Sequence, residues 1–135
     1  MSELLTRNFI NPPTIAAPVG YTHVVETSGG RTVYLSGQVG FSPDGQIVGM
    51  GDTRAQAEQA FANLAAGLEA VGGSFGDVVK LTIFMIDMAD FGAVREVRDT
   101  FVNIARPPAS SAVQVSGFVF DWIRVEIEAV AVIGD

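Results

Sequence analysis

The segment Trp122-Ile-Arg-Val-Glu-Ile-Glu-Ala-Val-Ala-Val-Ile133 constrains this chain more than any other, because it sets two carboxylates on one side of an otherwise apolar strand. Side chains alternate across a strand, so Ile123, Val125, Ile127, Ala129, Ala131 and Ile133 share one face and read as core. Trp122, Arg124, Glu126, Glu128, Val130 and Val132 share the other. That mixture of charge and bulk suits a pocket wall or a subunit interface. It equally suits a solvated face carrying an Arg/Glu ladder, and alternation alone leaves both open. A carboxylate withdrawn from water needs a donor or a cation, since desolvating it unaided is costly. Arg124 is the partner at hand.

Composition limits the class. The 135 residues are expected to form one domain (1–135), and 48% hydrophobic with only 17% charged residues argues against disorder. A mean hydropathy of +0.35 in so small a chain leaves more apolar surface than one copy readily buries, which points to a homo-oligomer. The formal net charge of −7 opposes binding to a phosphate backbone, so nucleic acid is not an expected partner. With no cysteine and a single histidine, His23, neither thiolate chemistry nor a multi-histidine metal site is available within one chain, and no metal is expected. The opening Met-Ser-Glu-Leu-Leu-Thr-Arg-Asn has an early acid and no long apolar run, unlike a signal peptide. No stretch approaches the roughly 18 uninterrupted apolar residues of a membrane span. A cytoplasmic protein without membrane contact is the expectation.

Along the chain, Gly20-Tyr-Thr-His-Val-Val-Glu-Thr and Arg31-Thr-Val-Tyr-Leu-Ser-Gly-Gln-Val-Gly flank Ser28-Gly29-Gly30 and read as a hairpin. Ser42-Pro-Asp-Gly45 marks a turn. Thr53-x-x-Gln56 has the form of a capping box, and Ala57, Phe61, Leu64, Leu68 and Val71 recur at helical spacing, predicting a helix from about Thr53 to Val71. Val78 to Met88 reads as a central strand, too apolar to leave one face in water. Asp90 is placed to cap a second helix with the stripe Phe91, Val94, Val97, Phe101 and Ile104, ended by Pro107-Pro108. Strands over Ser111 to Gly117 and Trp122 to Ile133 follow. This order predicts an α+β sandwich with two helices on one face of a mixed sheet.

Familiar catalytic motifs are missing: there is no phosphate-binding glycine loop and no nucleophile elbow, and Gly49-Met-Gly51 reads as a plain turn. His23 is a possible general base, though a lone strand histidine is more often a hydrogen-bonded surface residue. Met85 and Met88 read as packing.

Six segments occur in an order that resembles the YjgF/RidA family, also called L-PSP endoribonuclease-like. They are Gly20-Tyr21, Leu35-Ser-Gly-Gln38, Asn63-Leu-Ala-Ala-Gly-Leu-Glu-Ala-Val-Gly-Gly73, the run from Asp77 to Phe91, Pro108-Ala-Ser-Ser111 and Val125-Glu-Ile-Glu-Ala-Val-Ala131. The resemblance covers residue 14 onwards. It implies a chorismate-mutase-like α+β fold, a barrel-like homotrimer with a ligand cleft at each subunit interface, and hydrolysis of reactive enamines and imines such as 2-aminoacrylate without a cofactor. By the same resemblance, Tyr21 is a pocket tyrosine, Ser36-Gly37-Gln38 a ligand-binding turn, and Glu126 the catalytic glutamate that positions the hydrolytic water.

The chain departs from the family where it matters most. Deaminating members have Pro-Ala-Arg-Ser, whose arginine grips the substrate carboxylate, and this chain has Ser110. A hydroxyl cannot reproduce a guanidinium's bidentate fork. The family's asparagine after Asp-Phe-x-x-Val is Arg95, and its pocket cysteine is Ala112. Arg95, or less readily Arg106, is a candidate to take over the anion; either equally suits an exposed helix face. The reading is therefore a RidA-like protein that binds a small metabolite through Tyr21, Ser36, Gly37, Arg95 and Ser110, without standard 2-aminoacrylate deaminase activity. The alternatives are a deaminase for a different imine and, third, a ribonuclease, which the acidic charge and lack of a histidine pair disfavour.

Overall fold

The apolar side of the closing segment becomes the middle of the molecule. In the computed structural model, which describes residues 4–134 and leaves Met1, Ser2, Glu3 and Asp135 outside, Val125, Ile127, Ala129, Ala131 and Ile133 of β6 (Val125–Ile133) are all buried. β6 lies antiparallel between β3 (Arg31–Gln38) and β4 (Val78–Met85), and β5 (Ala109–Gln114) runs parallel to β4 at the far edge, giving the order β3-β6-β4-β5. A crossover through α2 (Phe91–Phe101) links the parallel pair, as parallel neighbours require. α1 (Thr53–Ala70) packs on β3, β6 and α2, and both helices cover one face of the mixed sheet, as expected. Ala57, Phe61, Leu64 and Leu68 of α1, with Val94 and Val97 of α2, meet the inner side chains of β4 and β6 in one core. Phe61, Phe75 and Phe101 cluster there, with Phe61 and Phe101 stacked at 5.3 Å. No helix among the described residues is long and apolar enough to cross a membrane.

Several local expectations are corrected. The strands around Ser28-Gly29-Gly30 do not pair with each other: β2 (Val24–Ser28) pairs with β1 (Thr6–Ile10) in a separate ribbon, and β3 pairs with β6. Arg7 of β1 ties the ribbon to the sheet, donating to the Val132 carbonyl and pairing with Asp77. β4 ends at Met85, so Met88 is off the strand, and β5 starts at Ala109 rather than Ser111. β6 starts at Val125, so Trp122 lies in the preceding loop, its ring edge-on to Phe41 at 5.0 Å. Ile104 lies beyond α2 and is exposed.

The capping box is also absent. Asp52 caps α1, accepting from the Ala55 amide at 3.1 Å, which leaves both supposed box residues free to point inward. Thr53 donates to Asp90 Oδ2 at 2.7 Å and accepts from Arg124 Nε at 2.7 Å, and Arg124 Nη2 donates to the same Asp90 oxygen at 2.9 Å. Asp90 thus makes no side-chain cap to α2, and Arg124 pairs with Asp90 instead of Glu126. The hydrogen bonds from Arg124 and Thr53 hold the Asp90 carboxyl below the usual carboxylate range.

Gln56 is fully buried, and its carboxamide donates to the carbonyls of Gly49 (2.9 Å) and Trp122 (3.0 Å) while accepting from the Arg124 amide (2.8 Å). Gln56→Leu keeps the volume but strands the Trp122 carbonyl and the Arg124 amide, each costing about 1–3 kcal/mol when buried unpaired, while the Gly49 carbonyl keeps its bond from the Asp52 amide. The expected loss is about 2–4 kcal/mol on the same basis. Urea denaturation should show a lower midpoint at unchanged slope; a midpoint equal to wild type would show that the amide is dispensable.

Candidate functional site

Strand register sorts the candidate residues before any cavity is considered. Ser110 is the partner of Leu81 and Ala112 the partner of Ile83, both core residues, so Ser110 and Ala112 point to the helix side of the sheet. Glu126 is the partner of Phe84 and Glu128 of Thr82, one position out of phase with that core set, so both glutamates point to the opposite, open face.

On the helix side, Tyr21, Arg95 and Ser110 come together in a cavity of about 280 Å³, with Met88 and Phe91 as apolar walls. Tyr21 is held there by its neighbour: Thr22 is buried, its amide donates to the Pro108 carbonyl at 3.2 Å and its hydroxyl to the Pro107 carbonyl at 2.5 Å. The loop carrying Tyr21 is thereby fastened to the entry of β5, where Ser110 stands. His23 is engaged structurally, its Nε2 2.6 Å from the Ala16 carbonyl and its ring edge-on to Tyr21 at 5.3 Å. Met88, expected as packing, lines this cavity instead.

Arg98 also lines the cavity and was not singled out from the sequence. It falls four residues after Val94, at apolar-stripe spacing, and one turn beyond Arg95. A charged residue in a core-facing helical position was the available signal. Arg106 lies elsewhere: its guanidinium sits 4.3 Å over the Phe9 ring, and its Nη2 donates to the Arg7 carbonyl at 3.2 Å.

On the open face, Ser36 borders a cavity of about 380 Å³ with Tyr34, Lys80, Thr82 and Glu128. Lys80 donates to the Ser111 hydroxyl at 2.7 Å, and partial burial lowers its ammonium pKa while Glu128 pulls the other way. Glu126 is half-buried against Gly37, so that a Cβ at that position would meet the Glu126 carboxylate and force it to shift. Among the described residues Glu126 has no ion-pair partner.

The residues therefore form two groups, Tyr21, Arg95 and Ser110 on one side of the sheet and Ser36, Gly37 and Glu126 on the other. Among the described residues no group of three or more histidine and acidic side chains is arranged to hold a metal ion.

A family model described as Endoribonuclease L-PSP matches residues 12–133. The Mus musculus protein named 2-iminobutanoate/2-iminopropanoate deaminase is 41% identical over 136 residues, covering 99% of this chain and 96% of its own length. Among solved structures, YyfB of Yersinia pestis, described as a protein of unknown function of the conserved Rid family, matches with TM-score 0.83 and 32% identity over 94% of this chain and 98% of that one. E. coli TdcF, solved with bound serine, matches with TM-score 0.67 and 36% identity over 75% of this chain and 80% of that one. With its ordered motifs, its mixed sheet and helix layer, and these matches all in agreement, the chain belongs to the YjgF/RidA family, the Endoribonuclease L-PSP family of the matching model.

Proposed function

We propose that this chain is a RidA-like homotrimer that takes a small imine, enamine or related metabolite into clefts between subunits, and that 2-aminoacrylate is a poor substrate for it. The observation that carries this reading is the separation of the candidate residues onto opposite faces of one sheet. Glu126 and Ser110 of the same copy cannot address one small molecule through the sheet, whereas the open face of one subunit laid against the helix-side cavity of another brings both groups to one cleft. The open face is suited to such burial, since Tyr34 and Val113 are exposed there. The mouse relative's name supports the reaction class.

In that cleft Glu126 accepts a hydrogen bond from a water and directs its oxygen to the imine carbon. The C–O bond forms as the C=N π bond opens. One proton of the water passes to the nitrogen to give an amino alcohol, and transfer of the second, from the new hydroxyl, accompanies C–N cleavage, which releases ammonia and leaves the carbonyl product. The close seat against Gly37 limits the positions open to the Glu126 side chain. Binding of a carboxylate is weakened at β5, because Ser110 offers one hydroxyl where an arginine offers a charged fork. Losing one partner of a buried ionic pair costs about 3–5 kcal/mol, or about two to four decades of affinity. The net charge of −7 disfavours RNA as the ligand.

Three results are expected. Light scattering coupled to size exclusion should give three times the monomer mass of 14.2 kDa, and a stable monomer at micromolar concentration would remove the shared cleft. In an assay coupled to a threonine or serine dehydratase with semicarbazide trapping, 2-aminoacrylate turnover should fall at least about 100-fold below that of an arginine-containing relative. Gly37→Ala, by displacing the Glu126 carboxylate, should remove residual turnover toward any imine substrate while the trimer persists. Turnover equal to the relative's would refute the assignment of poor activity.

A further inference from the structure

Arg95 and Arg98 are one helical turn apart on α2 and project from the same side. Their Nη2 atoms lie 2.8 Å and 2.7 Å from the point that a Cβ on Gly20 would occupy, so the two guanidinium groups converge on one stretch of backbone. Gly20 has φ +79°, in the left-handed region, and its missing side chain leaves the space into which both groups reach.

Two permanent like charges gathered at one cavity wall repel, and arginine cannot relieve the repulsion by losing its proton. Arg98 is only 4% exposed. Its Nε donates to Asp99 Oδ1 at 3.1 Å, but Nη2, although 3.0 Å from that oxygen, has no hydrogen-bond partner. Among the described residues no acid pairs with Arg95. Of the other carboxylates on or flanking α2, Glu96 pairs with Arg54, and before the helix Asp90 is bound by Arg124 and Thr53 while Asp87 accepts from the Ala89 amide. Two guanidinium groups against the single carboxylate of Asp99 leave one positive charge uncompensated beside Tyr21, Ser110 and the Phe91 ring.

We propose that Arg95 and Arg98 form a receptor for the carboxylate of a small organic monoanion, and that Arg98 is a specificity-determining residue of the cleft. This rests on the reading that the cavity between α2 and β5 is where the metabolite binds. The uncompensated charge matches one carboxylate, whereas a phosphate monoester near its dianionic form overcompensates it. The unpartnered Nη2 supplies a donor to one carboxylate oxygen, Arg95 donates to the other, and the Phe91 ring contacts the carbon chain. The anion is held from the α2 wall, across the cavity from the place where a β5 arginine acts. It therefore orients an imino or oxo acid differently and does not restore the geometry that 2-aminoacrylate needs.

The test is calorimetric titration of the intact protein with 2-oxobutanoate, a stable oxo acid, and with its uncharged amide. Wild type should bind the acid at least tenfold more tightly than the amide. Arg95→Gln and Arg98→Gln should each weaken the acid at least tenfold and leave the amide within threefold. Arg98 is buried, so Arg98→Lys, which keeps the charge but not the fork, and half-buried Arg95 keep the test decisive should Arg98→Gln misfold. Equal affinity of wild type for acid and amide, or unchanged acid affinity in both arginine variants, overturns the receptor. Arginine-dependent acid binding without imine turnover upholds the receptor and defeats only the deaminase reading. Imine turnover that is indifferent to both arginines does the reverse.

Discussion

The carboxamide of Gln56 is the point on which the geometry of both residue groups depends. It joins α1 to the Gly49 turn and to the backbone that enters β6, satisfying buried carbonyl and amide groups that no strand or helix ladder reaches. One turn away, Thr53 and Arg124 bind the Asp90 carboxylate at the start of α2. The same few residues thus hold the entry to β6, two positions before Glu126, and the start of α2, the helix that carries Arg95 and Arg98. The polar cluster does not contribute much by ion pairing alone, because its partly exposed Arg124–Asp90 bridge is worth about 0–1 kcal/mol. Its weight comes from the cost of leaving buried partners unpaired, which makes the arrangement specific.

The parts of this fold that were legible in the sequence are those controlled by local periodicity against a core. The two-residue alternation of β6 identified Ile123, Val125, Ile127, Ala129, Ala131 and Ile133 as buried and missed Val132, which is buried from the other face, and the stripe of α1 identified Ala57, Phe61, Leu64 and Leu68. Pairing was not legible. Ser28-Gly29-Gly30 has hairpin chemistry, yet β3 finds its partner in β6, about a hundred residues away in the sequence, because covering the sheet's apolar face outweighs the local turn. Thr53-x-x-Gln56 met the spacing of a capping box, but Asp52 supplies the cap and releases Gln56 to the interior. Arg124 illustrates a related failure: Glu126 is its neighbour on the strand pattern, while a long flexible side chain reaches a carboxylate on another element.

Candidate residues were identified one at a time by motif, and their division between two faces was invisible at that level. A strand has a two-residue period, so Ser110 and Glu126 acquire opposite sides only through the registers of β5 on β4 and β6 on β4, neither of which sequence spacing encodes. Arg98 escaped for a different reason. Periodicity arguments count apolar residues and pass over a charge in the stripe, although a buried charge at a core-facing position is the more informative observation.

Net charge and local charge lead in opposite directions here, and the local term decides what a cavity binds. At −7 the chain as a whole repels small anions at long range, an effect screened beyond about 8 Å at physiological ionic strength. The Arg95 and Arg98 groups act within hydrogen-bonding distance, where screening is weak and burial strengthens each contact. An acidic envelope around a cationic pocket reduces indiscriminate capture of phosphates and polyanions, since such ligands meet repulsion from the whole surface before reaching the two guanidinium groups. A small monoanion experiences the least of that repulsion and gains the full benefit of the fork. In the proposed receptor, selectivity therefore comes from the size and charge of the ligand together, with Phe91 and the paired arginines presented by the same helix, α2.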